Sequence, residues 1–104
     1  MSWPFSFAAP SMDTTVMEVP TSATLVSTAA GTSCWLAAWD FYNPHASATY
    51  TVQFLTGAGT VWWSKELGPG AVIEGPTERP CKPLVGLKWK SSGSGVIGHA
   101  WGYQ

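Results

Sequence analysis

Charge is scarce in this chain. Asp, Glu, Lys and Arg make up 11% of its 104 residues, five basic against six acidic, for a formal net charge of −1. Soluble domains usually carry about 25%. Without a basic tract the chain cannot neutralise a run of phosphates, so nucleic acid is not an expected partner. Long apolar runs are missing as well. None approaches the ~20 residues of a membrane-crossing helix, so no membrane span is expected. The opening stretch MSWPFSFAAPSM has no positive n-region and is interrupted by Pro4 and Pro10, so it does not read as a signal peptide. Cysteine is limited to Cys34 and Cys81. The two could form one bridge, but isolated buried thiols are the plainer reading. With His45 and His99 they lack the close ligand pairs of a zinc site. Helical periodicity is absent too: no apolar helical repeat lasts ten residues without a Gly or Pro.

What is present is β-prone and aromatic. Polar cover comes from 11 Ser and 11 Thr rather than from ions, and seven residues are Trp. Low charge combined with many large aromatics suggests a surface that packs against partners. Short runs rich in Val, Thr, Trp and Tyr alternate with Gly, Pro, Asn and Ser. They predict strands near 14–19, 23–29, 33–42, 48–56, 60–67, 71–74, 84–90 and 95–103. Eight short strands at this spacing imply an all-β antiparallel sandwich, jelly-roll-like. Residues 1–13 are expected to form an extended N-terminal arm and 14–104 a single domain.

Period-two alternation assigns shared faces. Tyr50, Val52 and Phe54 form one set, and Val61, Trp63 and Leu67 another. Val85, Leu87 and Trp89 lie opposite Lys88 and Lys90. Ile97, Trp101 and Tyr103 make the core face expected of the last strand. Run 33–42 is apolar on both sides, with Trp35, Ala37, Trp39 and Phe41 on one and Cys34, Leu36 and Ala38 on the other. A strand of that kind is expected to be covered twice, the second time by the arm or by another subunit.

The chemical motifs are weak. Gly93, Gly95 and Gly98 match G-x-G-x-x-G, but only six residues follow and they read as a strand. The motif's chemistry needs a helix N-terminus at the pyrophosphate, so the glycines read as a hairpin turn and a bulge or close-packing site. No G-x-S-x-G elbow is present. Five of the acids sit near strand ends or turns. Asp40 lies inside an apolar strand and is expected to need a hydrogen-bond partner. His45 follows Asn43-Pro44 in a turn. His99 is expected to be half-buried and hydrogen-bonded rather than a catalytic base. We therefore expect no enzyme activity, no cofactor and no metal. Aromatic side chains are the best binding candidates, because they dominate protein interfaces and stack on sugars. Adjacent strand residues face opposite ways, so Trp63 is assigned to the core and Trp62 to the surface. Trp3, Phe5 and Phe7 in the arm, with Trp35, Trp39 and Trp62, are the candidate partner-binding residues.

Residues 34–103 resemble short β-sandwich structural proteins of tailed bacteriophages. The resemblance rests on DFYNPHASATYTVQFL, then TGAGTVWWSKELGPG, then the closing KPLVGLKWKSSGSGVIGHAWGY. The chain departs from that pattern in its extra aromatics, Trp39, Trp62, Trp63, Trp89 and Trp101. The resemblance implies a non-enzymatic virion component, such as a capsid decoration, fibre-base or neck subunit. Its partners would be other virion proteins and copies of itself, a trimer at a threefold axis. A carbohydrate-binding module using an exposed Trp62 is the alternative.

Overall fold

A computed structural model describes residues 12–31, 33–75 and 83–103. Trp3, Phe5, Phe7 and Cys81 lie outside them. The described chain is all-β apart from one 3-10 turn, Thr28–Gly31, and forms two antiparallel sheets. In chain order the strands are β1 (Met12–Asp13), β2 (Met17–Glu18), β3 (Thr24–Leu25), β4 (Ser33–Tyr42) and β5 (Tyr50–Leu55), then β6 (Val61–Leu67), β7 (Val72–Gly75), β8 (Pro83–Val85), β9 (Lys88–Ser91) and β10 (Ile97–Tyr103). Sheet A has the order β1-β10-β4-β7, with β2 also on β10 and β8 also on β4; sheet B has the order β3-β9-β5-β6.

Where strands break, local backbone chemistry explains it. Thr15 has φ 58° and donates its N–H to Asp13 Oδ1 at 2.8 Å, a turn that shortens the expected strand 14–19 to β2 and separates it from β1, which precedes it. The expected arm therefore gives its last two residues, Met12 and Asp13, to sheet A, paired with Gly102 and Trp101. The expected strand 23–29 shortens to β3 because the chain enters the 3-10 turn. Strand 84–90 divides at Gly86, where φ is 71° and an added Cβ would lie 2.8 Å from Gly57 Cα. At that glycine the chain leaves sheet A, where β8 pairs with β4, and enters sheet B, where β9 pairs with β5.

The core lies between the sheets. Trp89, Phe41, Phe54, Leu36, Leu67 and Leu87 are among its fully buried side chains. Its centre is an aromatic cluster. Trp39 meets Phe54 and Trp63 edge-on, each at 5.3 Å between ring centroids, and Phe41 stacks on Trp63 at 5.8 Å. Asn43 is fully buried at the end of β4 and ties three segments together. Its Nδ2 donates to the carbonyls of Ala48 at 2.7 Å and of Leu67 and Gly68 at 3.1 Å, while Oδ1 accepts from His45 N at 3.1 Å.

Two bulges decide which side chains enter this core. On β4, Ala38 lies opposite Trp101 and Leu36 opposite Gly102, so Ala37 is the extra residue. Before it Cys34 and Leu36 point inward; after it Trp39 and Phe41 do. The strand that looks apolar on both sides is thus two half-strands of opposite parity, and its outer side carries Trp35, Asp40 and Tyr42, all exposed. On β6, Trp63 lies opposite Phe54 and Val61 opposite Leu55, leaving Trp62 as the extra residue. Trp62 and Trp63 consequently both pack on Trp39, at 6.2 and 5.3 Å. The expectation that Trp62 is an exposed ring is corrected: it is half-buried against the core, and Val61, expected inside, is exposed.

The face assigned to β10 is corrected as well. Gly98, Ala100 and Gly102 are the buried residues, while Ile97, His99, Trp101 and Tyr103 lie on the outer side. Room explains the choice. A Cβ on Gly98 would meet Val19 Cγ2 at 2.7 Å and Phe41 Cδ1 at 2.9 Å. The other glycines of the G-x-G-x-x-G match are equally structural: a Cβ on Gly93 would run into the Tyr50 ring, and Gly95 has φ 97°.

Candidate interaction face

The outer side of sheet A brings together most of the exposed chemistry. Antiparallel register places cross-strand partners on one face, so the strand pairings read out its rows. At one end Tyr103 lies opposite Trp35; they are 38% and 49% exposed. Next, Trp101 lies between Ala38 and Asp13. In the middle, His99 is opposite Asp40, and Asp40 is opposite Glu74. At the far end Tyr42 is flanked by Ile97 and Val72, with Glu18 beyond Ile97. The face therefore has an aromatic end, a charged waist and an apolar end.

The waist is anchored by one close pair. His99 Nε2 bonds Asp13 Oδ1 at 2.7 Å, with side chains 26% and 43% exposed. The same carboxylate oxygen accepts the Thr15 N–H. That amide first, and then the His99 hydrogen bond, hold the Asp13 carboxyl below its ordinary value. His99 is half-buried and bonded, as expected from sequence. Asp40 is exposed on the outer side of β4, so water solvates it and the expected requirement for a protein partner disappears. Asp40 directly opposite Glu74 sets like charges side by side, an unfavourable pairing that an opposite charge placed over it would relieve.

The sequence candidates separate cleanly. Trp35 is on this face. Trp39 is only 6% exposed and belongs to the core, so it is removed from the partner-binding set. Trp62 is removed as a free platform for the reason given by its bulge. Trp101 and Tyr103 were assigned to the core and are instead the missed members of the face. The sequence does hold a signal for them: the other side of β10 carries only Gly98, Ala100 and Gly102, a side that accepts close approach but cannot fill a core by itself. Trp101 and Tyr103 meet at 6.3 Å with their planes at 84°, so they do not form one flat platform.

Elsewhere the chemistry is quiet. His45 Nε2 sits 2.9 Å from Ser94 O and its ring edges onto Tyr50. Cys34 is fully buried, and burial pushes its thiol pKa up. Among the described residues no group of three or more His, Cys, Asp and Glu side chains is placed to hold a metal ion, and no helix is long and apolar enough to cross a membrane. No family model matches the chain, and neither does any curated protein or solved structure.

Proposed function

We propose that this chain is a non-enzymatic structural subunit of a tailed-bacteriophage particle, holding neighbouring virion proteins through the outer face of sheet A. The observation that carries an adhesive role is that face itself: Trp35, Tyr42, Val72 and Tyr103 are all exposed on the outer side of one sheet, at either end of its charged waist. The phage assignment rests on the resemblance of residues 34–103. We read the strand order as a jelly roll. Its support is the wrapping, in which β1 and β2 lie beside the last strand β10 while the connected strand β3 lies beside β9. A repeated subunit needs only modest individual contacts, because many engage together. The residues before Met12, with Trp3, Phe5 and Phe7, supply a second apolar contact in this proposal, and a trimer is the form expected at a threefold axis.

Binding to particles tests it. The purified chain should co-sediment with particles lacking it, and Trp35→Ala with Tyr103→Ala should reduce occupancy at least tenfold. A chain that never joins particles ends the proposal.

A carbohydrate-binding role is the second reading, moved from Trp62 to this face. Exposed rings beside Asp13 and Asp40 favour it, since stacking and carboxylate hydrogen bonds together suit a sugar. The perpendicular Trp101 and Tyr103 leave Trp35 as the main stacking surface. A glycan array with no Trp35-dependent binder removes this reading.

A further inference from the structure

We propose that copies of this chain stack head to tail, the outer face of sheet A of one copy seating on the outer face of sheet B of the next. The proposal rests on the adhesive reading of sheet A and names its partner.

Charge divides between the two faces. The outer side of sheet A carries Asp13, Glu18, Asp40 and Glu74 and, among the described residues, no Lys or Arg. The outer side of sheet B is centred on Lys88 and Lys90, which alternate with the fully buried Trp89 and so point away from the core. Gln53 lies opposite Lys90, and the exposed Leu25 lies opposite Lys88. Among the described residues Glu66 is the acid on that side, out on the edge strand β6 opposite Thr51. Lys65 plays another part. It lies opposite the buried Val52, on the core-facing side of β6, yet is exposed at the edge. An inward-pointing charge there discourages another strand from adding to the sheet. Association is thereby directed from the edge to the faces.

Three face-to-face arrangements of two copies are open, and charge selects among them. Sheet A on sheet A sets carboxylates against carboxylates. Sheet B on sheet B sets Lys88 and Lys90 against themselves. Among the described residues only sheet A on sheet B opposes unlike charge, and such complementarity fixes register and excludes wrong pairings. The side-chain chemistry matches too. Lys88 and Lys90 stand about 7 Å apart along one strand. A methylene stem can lie on the Trp101 ring, one row from the waist, while its ammonium group reaches the Asp40–Glu74 pair and supplies a counter-charge to it. A contact between two different faces does not close on itself at two copies, so it generates rings or stacks.

The test uses the full chain and two charge variants, Asp40→Lys with Glu74→Lys, and Lys88→Glu with Lys90→Glu. Sedimentation equilibrium should show the wild type gaining mass with concentration, more weakly at 500 mM than at 50 mM NaCl. Each variant alone should self-associate at least tenfold more weakly. Mixed, they should associate again and alternate along the stack, because the intact sheet A of the Lys88→Glu, Lys90→Glu chain meets the intact sheet B of the Asp40→Lys, Glu74→Lys chain, and the two altered faces also oppose unlike charge. The mixture thus has two productive contacts and should regain the mass that each variant alone has lost. A wild type that stays monomeric, an association insensitive to salt, or a mixture that associates no more than either variant alone each overturns stacking. The salt series needs no variant, so a misfolded variant leaves the test standing. A chain that is monomeric in solution yet joins particles would remove stacking and spare the particle role; one that stacks but joins no particle would do the reverse.

Discussion

Gly102→Ala tests the account of the β4 bulge most directly. Gly102 is buried on β10, opposite Leu36 and beside the extra residue Ala37. A Cβ at this position would lie 1.8 Å from the Trp35 carbonyl oxygen and 3.0 Å from Ala37 N. Those atoms are backbone of the neighbouring strand, so no side-chain rotation relieves the overlap. Reaching ordinary contact requires a separation of about 1.6 Å more, enough to break the local ladder in an interior packed at crystal-like density. Overpacking by one methyl costs about 1–3 kcal/mol where side chains can yield. With a backbone carbonyl in the way we expect the upper end, about 3 kcal/mol. A domain of this size has roughly 5–15 kcal/mol in all, so Tm should fall by about 12–24 °C. Urea unfolding followed by Trp fluorescence reads the change as a midpoint lower by about 1.5 M at an m-value near 2 kcal/mol/M. Gly68→Ala is the control: nothing lies within 4 Å of its added Cβ and its φ is not left-handed, so it should stay within about 0.5 kcal/mol. A Gly102→Ala protein within 1 kcal/mol of wild type would refute the claim that close backbone approach holds the bulge and sets the parity of β4.

Three further outcomes follow from the geometry. Asn43→Ala removes the side-chain donor to the carbonyls of Ala48, Leu67 and Gly68, the last of which keeps the Ala71 N–H, and should cost about 2–3 kcal/mol; Asn43→Asp should cost more at neutral pH, because a carboxylate would face those carbonyls. Trp62→Ala should lose about 2 kcal/mol, part of the cost of a fully buried Trp, whereas Trp35→Ala should stay within about 0.5 kcal/mol in the isolated chain; equal losses in chemical denaturation would contradict the assignment of one ring to the core and the other to the surface. Asp13 has a folded-state pKa below its ordinary 3.8, so its contribution to stability is complete above that value and is lost as pH falls through the folded one. An NMR titration of the His99→Ala chain should find the Asp13 carboxyl still depressed but less so, because the Thr15 amide is the larger cause; a return to the ordinary value would show that the imidazole had been responsible.

By itself the sequence determined the class of fold and most of its punctuation. Scarce charge, the absence of helical periods and β-prone runs closed by Asn43-Pro44, Gly57-Ala58-Gly59 and Gly68-Pro69-Gly70 were enough for a sandwich of short strands, since those preferences act within a few residues. It also separated Lys88 and Lys90 from Trp89, because simple alternation holds along β9. Which side of β4, β6 and β10 faces the core was decided only in three dimensions. One extra residue at Ala37 and another at Trp62 reverse the alternation, and a bulge exists only relative to the strand opposite it. On β10 the larger side chains lost the interior because Val19, Phe41 and the Trp35 carbonyl, all distant in sequence, already occupy the space beside Gly98 and Gly102. The acidic, aromatic face of sheet A is the outcome of those long-range contacts.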